Sequence, residues 1–307
     1  MRRTSRGAVP PDPRRQGGKT RMNRLVVVSG LSGSGKSVAL NMLEDLGWYC
    51  IDNIPAGLVQ ALVSHSVRTD EPLYRRLAVG LDARNRPDDL ASIPDLLDDL
   101  RRAGLRCEVL YLNAEDEVLL RRYAESRRRH PLTGGGMSLA DAIAEERRLL
   151  HPLIDSADLV IDTSRMSVHE LRALIGQRVE PGPGKLSILF ESFGFKHGTP
   201  GDADFVFDAR TLPNPYWEPA LQQLTGKDAR VIEFLEASPR VHAMADDLVR
   251  FLEARVPEYE ATNRGYLTVA IGCTGGQHRS VYLVERLAAH FRAKYPQLLV
   301  RHNALPE

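Results

Sequence analysis

Eight residues, Gly30-Leu31-Ser32-Gly33-Ser34-Gly35-Lys36-Ser37, satisfy GxxxxGK[ST] at every fixed position. The apolar run Leu25 to Val28 precedes them and the helical pattern Val38 to Leu46 follows. In that setting glycines let successive N–H groups turn toward a phosphate, and the next helix presents its positive end to it. Lys36 is expected to reach the β- and γ-phosphates, and the Ser37 hydroxyl to ligate Mg2+. A catalytic carboxylate should end a neighbouring parallel strand. Asp82, after Leu77-Ala78-Val79-Gly80-Leu81, is the first choice for holding the metal, and Asp52, after Tyr49-Cys50-Ile51, is its rival. Asp52 could instead meet a substrate or attacking water, and either residue could be a strand-end cap. The NKxD guanine-reading motif is absent, so the residues do not select a base.

Arg121, Arg122, Arg127, Arg128 and Arg129 precede His130 and Gly134-Gly135-Gly136. Such a segment either closes over a transferring phosphoryl group as an arginine-bearing lid or is a solvated basic helix face. A second loop, Gly272-Cys273-Thr274-Gly275-Gly276-Gln277-His278-Arg279-Ser280, joins an apolar strand, Leu267 to Ile271, to a helix, Val281 to Ala293. Its Cys-x5-Arg-Ser spacing is that of protein-tyrosine-phosphatase loops, where amides and the Arg hold phosphate while a thiolate attacks it. The spacing supports an anion site above a nucleophile, with Cys273 read as a small apolar residue turned into the core. Arg279, Arg286, His290 and Lys294 fall along one helix face, either an RNA-backbone track or a solvated stripe.

Positioning these loops requires strands that end beside them. Short apolar runs at Leu25 to Val28, Tyr49 to Ile51, Leu77 to Leu81, Val109 to Leu112 and Leu159 to Ile161 alternate with amphipathic stretches. That alternation predicts an α/β fold: a P-loop domain with a parallel sheet and flanking helices. Pro181-Gly182-Pro183-Gly184 interrupts it, as a domain edge would. Cutting there gives a basic leader at 1–21, expected to be disordered, a nucleotide-binding domain at 22–180 and a second, smaller α/β domain at 181–307. The second domain restarts at Ser187-Ile188-Leu189-Phe190, carries a helix from Pro239 to Glu253 and closes with strand, loop and helix over Tyr266 to Lys294.

The 307 residues are 43% apolar and 26% charged, which excludes disordered and collagen-like classes. With 41 Lys and Arg against 40 Asp and Glu, no whole-protein field draws nucleic acid or membrane, so such partners must be met by a local patch. Cys50, Cys107 and Cys273 contain no CxxC pair, which argues against a disulfide framework or a thiolate zinc site. No apolar run spans a bilayer and no signal peptide is evident, so a cytoplasmic protein without a membrane partner is expected.

The sequence resembles the RapZ/YvcJ family of bacterial nucleotide-binding proteins. The resemblance is carried by Gly30 to Ser37, Tyr49-Cys50-Ile51-Asp52-Asn53-Ile54-Pro55, Asp162-Thr163-Ser164, Phe190-Glu191-Ser192-Phe193-Gly194-Phe195-Lys196-His197-Gly198 and Ala270 to Ser280. It implies a P-loop NTPase with ATPase and GTPase activity, ATP lying at Gly30 to Ser37 and GTP at Asp82-Ala83-Arg84-Asn85. It further implies a homo-oligomer whose C-terminal domain senses glucosamine-6-phosphate and which presents small regulatory RNA to RNase E. By the same resemblance His197, Thr274, Gly275, Gly276, His278 and Arg279 are the candidates for the sugar-phosphate site. The RNA-binding members carry a Lys/Arg-rich tail, where this sequence reads Asn303-Ala304-Leu305-Pro306-Glu307. The leading expectation is a slow regulatory hydrolase; a small-molecule kinase and a non-hydrolysing RNA or protein adapter are the alternatives.

Overall fold

The computed structural model describes residues 24–69, 72–126, 129–133, 136–179, 186–262 and 264–305. The leader, Arg127, Arg128, Gly134, Gly135 and the proposed domain edge at 180/181 lie outside the described residues. Among these residues the strands are β1 (Arg24–Gly30), β2 (Tyr49–Ile51), β3 (Arg76–Gly80), β4 (Arg106–Asn113), β5 (Leu159–Asp162), β6 (Ser187–Gly194), β7 (Phe205–Asp208), β8 (Tyr266–Cys273) and β9 (Leu299–His302). The helices are α1 (Lys36–Asp45), α2 (Val59–Thr69), α3 (Pro87–Ala91), α4 (Ile93–Arg102), α5 (Asp116–Ser126), α6 (Leu139–Asp155), α7 (Val168–Val179), α8 (Ala229–Glu236), α9 (Pro239–Ala261) and α10 (Arg279–Phe291).

The strands form two parallel sheets, ordered β2-β3-β1-β4-β5 and β7-β8-β6-β9. Parallel sheets are covered on both faces, so their central strands read as unbroken apolar runs. In β1, Leu25 and Val27 face a core closed by Val63 of α2, Leu90 of α3, Leu97 of α4 and Ile143 of α6. Val26 and Val28 face the other side, against Leu40 of α1 and Ile175 of α7. The second sheet buries Ile188, Val269 and Ile271 against Leu252 of α9 and Leu287 of α10. Both sheets send their loops to the carboxyl ends of the strands, where open α/β folds place ligands.

All five strands expected in the first half form, and β2 has the expected bounds. Two edge strands, β7 and β9, were not expected. Each is four residues long and neither has a fully buried residue, so no apolar run marks them. Helix α9 runs past Glu253 because its buried face continues through Val256.

The domains meet along a polar seam within an apolar one. Leu189 and Tyr266 of the second sheet join the core that α1 and α7 cover. Glu108 of β4 accepts from Arg24 Nη2 at 2.7 Å, Arg106 Nε at 2.7 Å and Tyr266 Oη at 3.0 Å. Arg178 is 2% exposed and donates to Ser187 O at 2.7 Å and Thr268 Oγ1 at 2.9 Å. Burial lowers its pKa to about 10, which leaves it protonated at neutral pH. Asp202 Oδ2 accepts the Asp162 N–H across the seam.

Glu191 of β6 is fully buried, and burial, followed by the Asp202 charge, pushes its pKa well above the carboxylate range. Such a carboxyl stays protonated in the folded chain over a pH range where it ionises in the unfolded chain. The native state then binds more protons than the unfolded one, so this group's contribution to stability declines as pH rises above the usual carboxylate range. Glu191→Gln keeps the shape and removes the titration. Thermal unfolding from pH 5 to pH 8 should show the parent losing more stability than the variant, with the two similar at pH 5.

Candidate functional site

The first loop leaves β1 at Gly30, where φ is +138° and a Cβ would lie 2.1 Å from the Leu112 carbonyl oxygen. Only glycine fits a positive φ beside another backbone so closely. Ser34 N–H closes on Leu31 O at 3.0 Å, and α1 starts at Lys36. The amides of Gly33, Gly35, Lys36 and Ser37 donate to no acceptor among the described residues. A set of unused donors at a helix amino end is an anion site. Lys36 Nζ donates to Gly30 O at 2.6 Å, across the mouth of that nest. Burial lowers the Lys36 pKa, and Glu146, Asp82 and Asp52, in that order, oppose the shift. The Ser37 side chain is exposed.

Asp52 and Asp82 follow the neighbouring strands β2 and β3, and a Cβ on Gly80 would lie 2.7 Å from Asp52 Oδ1. The two carboxylates differ in what already holds them. Asp82 is buried and accepts from the Arg84 amide at 2.9 Å, Arg84 Nε at 2.9 Å and Arg84 Nη2 at 2.5 Å. Burial pushes its pKa up, but these bonds and the Arg84 and Lys36 charges outweigh burial and hold it below the usual range. Asp52 is exposed and its side chain makes no hydrogen bond among the described residues. Asn85 is also committed: its Oδ1 accepts Ala56 N–H at 2.6 Å and its Nδ2 donates to Asp82 O at 3.2 Å. Ala83 is buried, which leaves Arg84 as the exposed member of that turn.

The arginine segment divides. Arg122 Nη1 donates to Gly33 O at 3.0 Å, and its Nη2 donates to Thr163 O at 2.6 Å, so it supports the back of the loop. Thr163 Oγ1 in turn donates to Ser34 O at 2.9 Å. His130 is buried rather than presented to solvent. A residue that sequence reasoning missed, Glu146, accepts Ser32 N–H at 2.8 Å and Ser32 Oγ–H at 2.7 Å, with His130 Nε2 at 3.0 Å. The available signal was a glutamate on the apolar stripe of α6, among Ala142, Ile143, Leu150 and Leu153.

In the second loop, Gly276 has φ +77°, and a Cβ there would lie 2.6 Å from Gly194 N. The end of β6 thus presses against the loop, and Lys196 N–H donates to Thr274 O at 3.2 Å. His197 is exposed on the single helical turn Phe195–His197 that follows β6. Lys196, not singled out as a site residue, lies over Gly275: its Nζ is 3.9 Å from where a Cβ would be. Arg279 is buried, and its hydrogen-bond partners are neutral: Arg210 O at 2.9 Å, Leu212 O at 3.1 Å and Thr274 Oγ1 at 3.3 Å. Its Nε has no partner among the described residues.

Two expectations change here. His278 is buried with Nε2 on Leu221 O at 3.2 Å, and burial lowers its pKa, so it brings a neutral ring turned inward. Cys273 is 2% exposed but is not simply an apolar filler: its Sγ accepts Gly276 N–H at 3.3 Å and lies 3.2 Å from Ser280 Oγ. Burial raises its pKa, and the bonds from Ser280, Gly276 and His278 more than reverse that. Of the four basic positions, Lys294 lies beyond α10 and is exposed, while the three within α10 are engaged. Arg279 points into the loop, Arg286 meets His242 Nδ1 at 3.0 Å and His290 meets Glu253 at 2.8 Å.

Among the described residues no helix is long and apolar enough to cross a membrane. Comparison with known proteins gives the lineage of the chain. A nucleotide-binding protein of Alkalilimnicola ehrlichii is 55% identical over 282 residues, covering 92% of this chain and 98% of its own length. One of Chromohalobacter salexigens is 54% identical over 284 residues, covering 92% and 95%. Among solved structures, shikimate kinase from Bacteroides thetaiotaomicron aligns at 13% identity with a TM-score of 0.35, over 51% of this chain and 98% of its own. Residues 23–181 match the RapZ-like N-terminal domain and residues 186–306 the RapZ C-terminal domain, and the chain therefore belongs to the RapZ family.

Proposed function

We propose that the chain binds a purine nucleoside triphosphate with Mg2+ at Gly30 to Ser37 and hydrolyses it slowly as a cytoplasmic regulatory NTPase. The observation that carries this reading is the set of uncommitted amides of Gly33, Gly35, Lys36 and Ser37 beside a half-buried lysine. The names of the relatives, nucleotide-binding protein, support the ligand class. Among the described residues no three or more His, Cys, Asp or Glu side chains group to hold a metal by themselves. Mg2+, which keeps several waters and is completed by phosphate oxygens, needs only one or two protein ligands. Ser37 and Asp52 fit that role, because the hydroxyl is exposed and the carboxylate has no hydrogen-bonding partner among the described residues. When bound, the ion would neutralise phosphate oxygens. The loop amides would orient the chain of phosphates, and Lys36 would move its ammonium from Gly30 O to the β- and γ-oxygens.

The second carboxylate has a different part. Asp82 holds Arg84, the exposed cation of its turn; from the resemblance alone we take GTP to lie at Asp82-Ala83-Arg84-Asn85 and ATP at Gly30 to Ser37. At the C-terminal loop we take the ligand to be glucosamine-6-phosphate or a related sugar phosphate. A buried guanidinium with neutral partners and an unused Nε supports an anion there. The resemblance also supplies small regulatory RNA, RNase E and self-association as partners.

Calorimetry with Mg·ATP and Mg·GTP should show Lys36→Ala binding about a hundredfold more weakly, the loss of a charge-assisted bond in a confined site. Asp52→Asn should abolish phosphate release while nucleotide still binds. Asp82→Asn should instead lower thermal stability, because Arg84 loses its partner. If Asp82→Asn alone stops hydrolysis, the assignment of the two carboxylates reverses.

For the second loop, glucosamine-6-phosphate should protect the parent and Cys273→Ser alike against thermal unfolding, and Arg279→Ala should lose that protection. The parent should release no phosphate from an aryl phosphate ester. Turnover of that ester, abolished in Cys273→Ser, would make Cys273 a nucleophile rather than a loop-forming residue.

A further inference from the structure

Glu146 is a fully buried carboxylate with no cation within hydrogen-bonding distance. A charge in that position is costly unless donors surround it. Among the described residues the donors come from two places. Ser32, third residue of the phosphate loop, gives both its N–H and its hydroxyl, and His130 gives the third. The imidazole tautomer follows from its other nitrogen: His130 Nδ1 accepts Leu132 N–H at 3.2 Å, so Nε2 carries the proton and donates to Glu146. The Tyr123 ring covers His130 at 5.3 Å between centroids and helps exclude water from the pair.

The consequence for the loop is directional. Ser32 N–H is turned to Glu146 and Ser34 N–H to Leu31 O, which leaves the amides of Gly33, Gly35, Lys36 and Ser37 on the other side for an anion. Glu146 also leads the charges that oppose the lowering of the Lys36 pKa by burial. With both oxygens held by donors, the carboxylate is poorly placed to take a proton from water. We propose that Glu146 is a positioning residue of the nucleotide site: it fixes Ser32, ties it to His130 and so forms the amide nest before any nucleotide arrives. This rests on reading Gly30 to Ser37 as that site.

The test uses the full chain, amide hydrogen exchange without ligand, and calorimetry with Mg·ATP. In the parent the Ser32 amide should be protected without nucleotide. Glu146→Gln supplies one acceptor oxygen where two donors of Ser32 need partners, so that amide should exchange at least about tenfold faster, and Mg·ATP should bind about tenfold more weakly. Ser32→Ala, at a site where little packing is lost, should weaken Mg·ATP a few-fold. Combined with Glu146→Gln it should add nothing, because both changes remove the same contact. Parent-like exchange and affinity in Glu146→Gln, or additive losses in the double variant, overturn the proposal; a role confined to packing α6 would lower the melting temperature and leave both readouts unchanged. Should Glu146→Gln not fold, an unchanged Mg·ATP affinity in Ser32→Ala is the overturning result. If the parent itself binds no Mg·ATP, the nucleotide reading fails, and Ser32 exchange still decides whether Glu146 sets the loop.

Discussion

A strand buried on both faces can expose polar backbone only where it ends. In β1 that end is Gly30, whose Cα lies so close to Leu112 O that no side chain could stand there. The chain must turn with a positive φ, and farther along the loop the amides of Gly33, Gly35, Lys36 and Ser37 have no acceptor among the described residues. Burying unpaired amides is unfavourable, so they must stay open to water or to an anion. The packing of β1 between β3 and β4 thus creates the site, and α1 begins where the unused donors are densest.

Charge then decides which groups remain available. Lys36 is desolvated in the folded chain, and three carboxylates, one on α6 and two in the loops after β2 and β3, counter that cost. Each is held differently. Glu146 is held by Ser32 of the loop together with His130, Asp82 by Arg84, and Asp52 by nothing among the described residues. A carboxylate already bonded to a guanidinium must lose those bonds to bind a metal, while an exposed and unbonded one loses only water. Equivalent strand-end positions in the sequence therefore become unequal in the fold.

That inequality marks the limit of what the sequence makes legible. The five-strand pattern of the first half, the strand-loop-helix of each phosphate loop and the division into two α/β units follow from periodicity and from Gly-Pro punctuation. Edge strands β7 and β9 escape because half-buried residues leave no apolar run. Asp52 and Asp82 look alike until Arg84, two residues beyond Asp82, folds back onto it. His278 and Arg279 are adjacent in a basic run, yet one turns to Leu221 O and the other to the loop. Glu146 lies 114 residues from Ser32, and nothing local connects them. Periodicity reports which face is buried; it does not report which buried polar group finds which partner.

The same partner logic connects the two domains. Thr163 Oγ1 binds Ser34 O inside the phosphate loop, and the preceding residue, Asp162, donates its N–H to Asp202 across the seam. Asp162 Oδ1 also holds Ser164 N–H at 2.9 Å, so residues 162–164 are fixed from both sides. A shift of the phosphate loop that pulls on Ser34 must therefore either break the Thr163 bond or move the strand end that contacts the second domain. The seam contains Glu191, a carboxyl kept protonated by burial, and the fully buried Arg178, neither of which tolerates water entering unevenly. Buried polar groups of this kind favour a small number of fully satisfied arrangements over gradual sliding. The contact between nucleotide loop and C-terminal domain is in that sense a physical one, built from three consecutive residues at the end of β5.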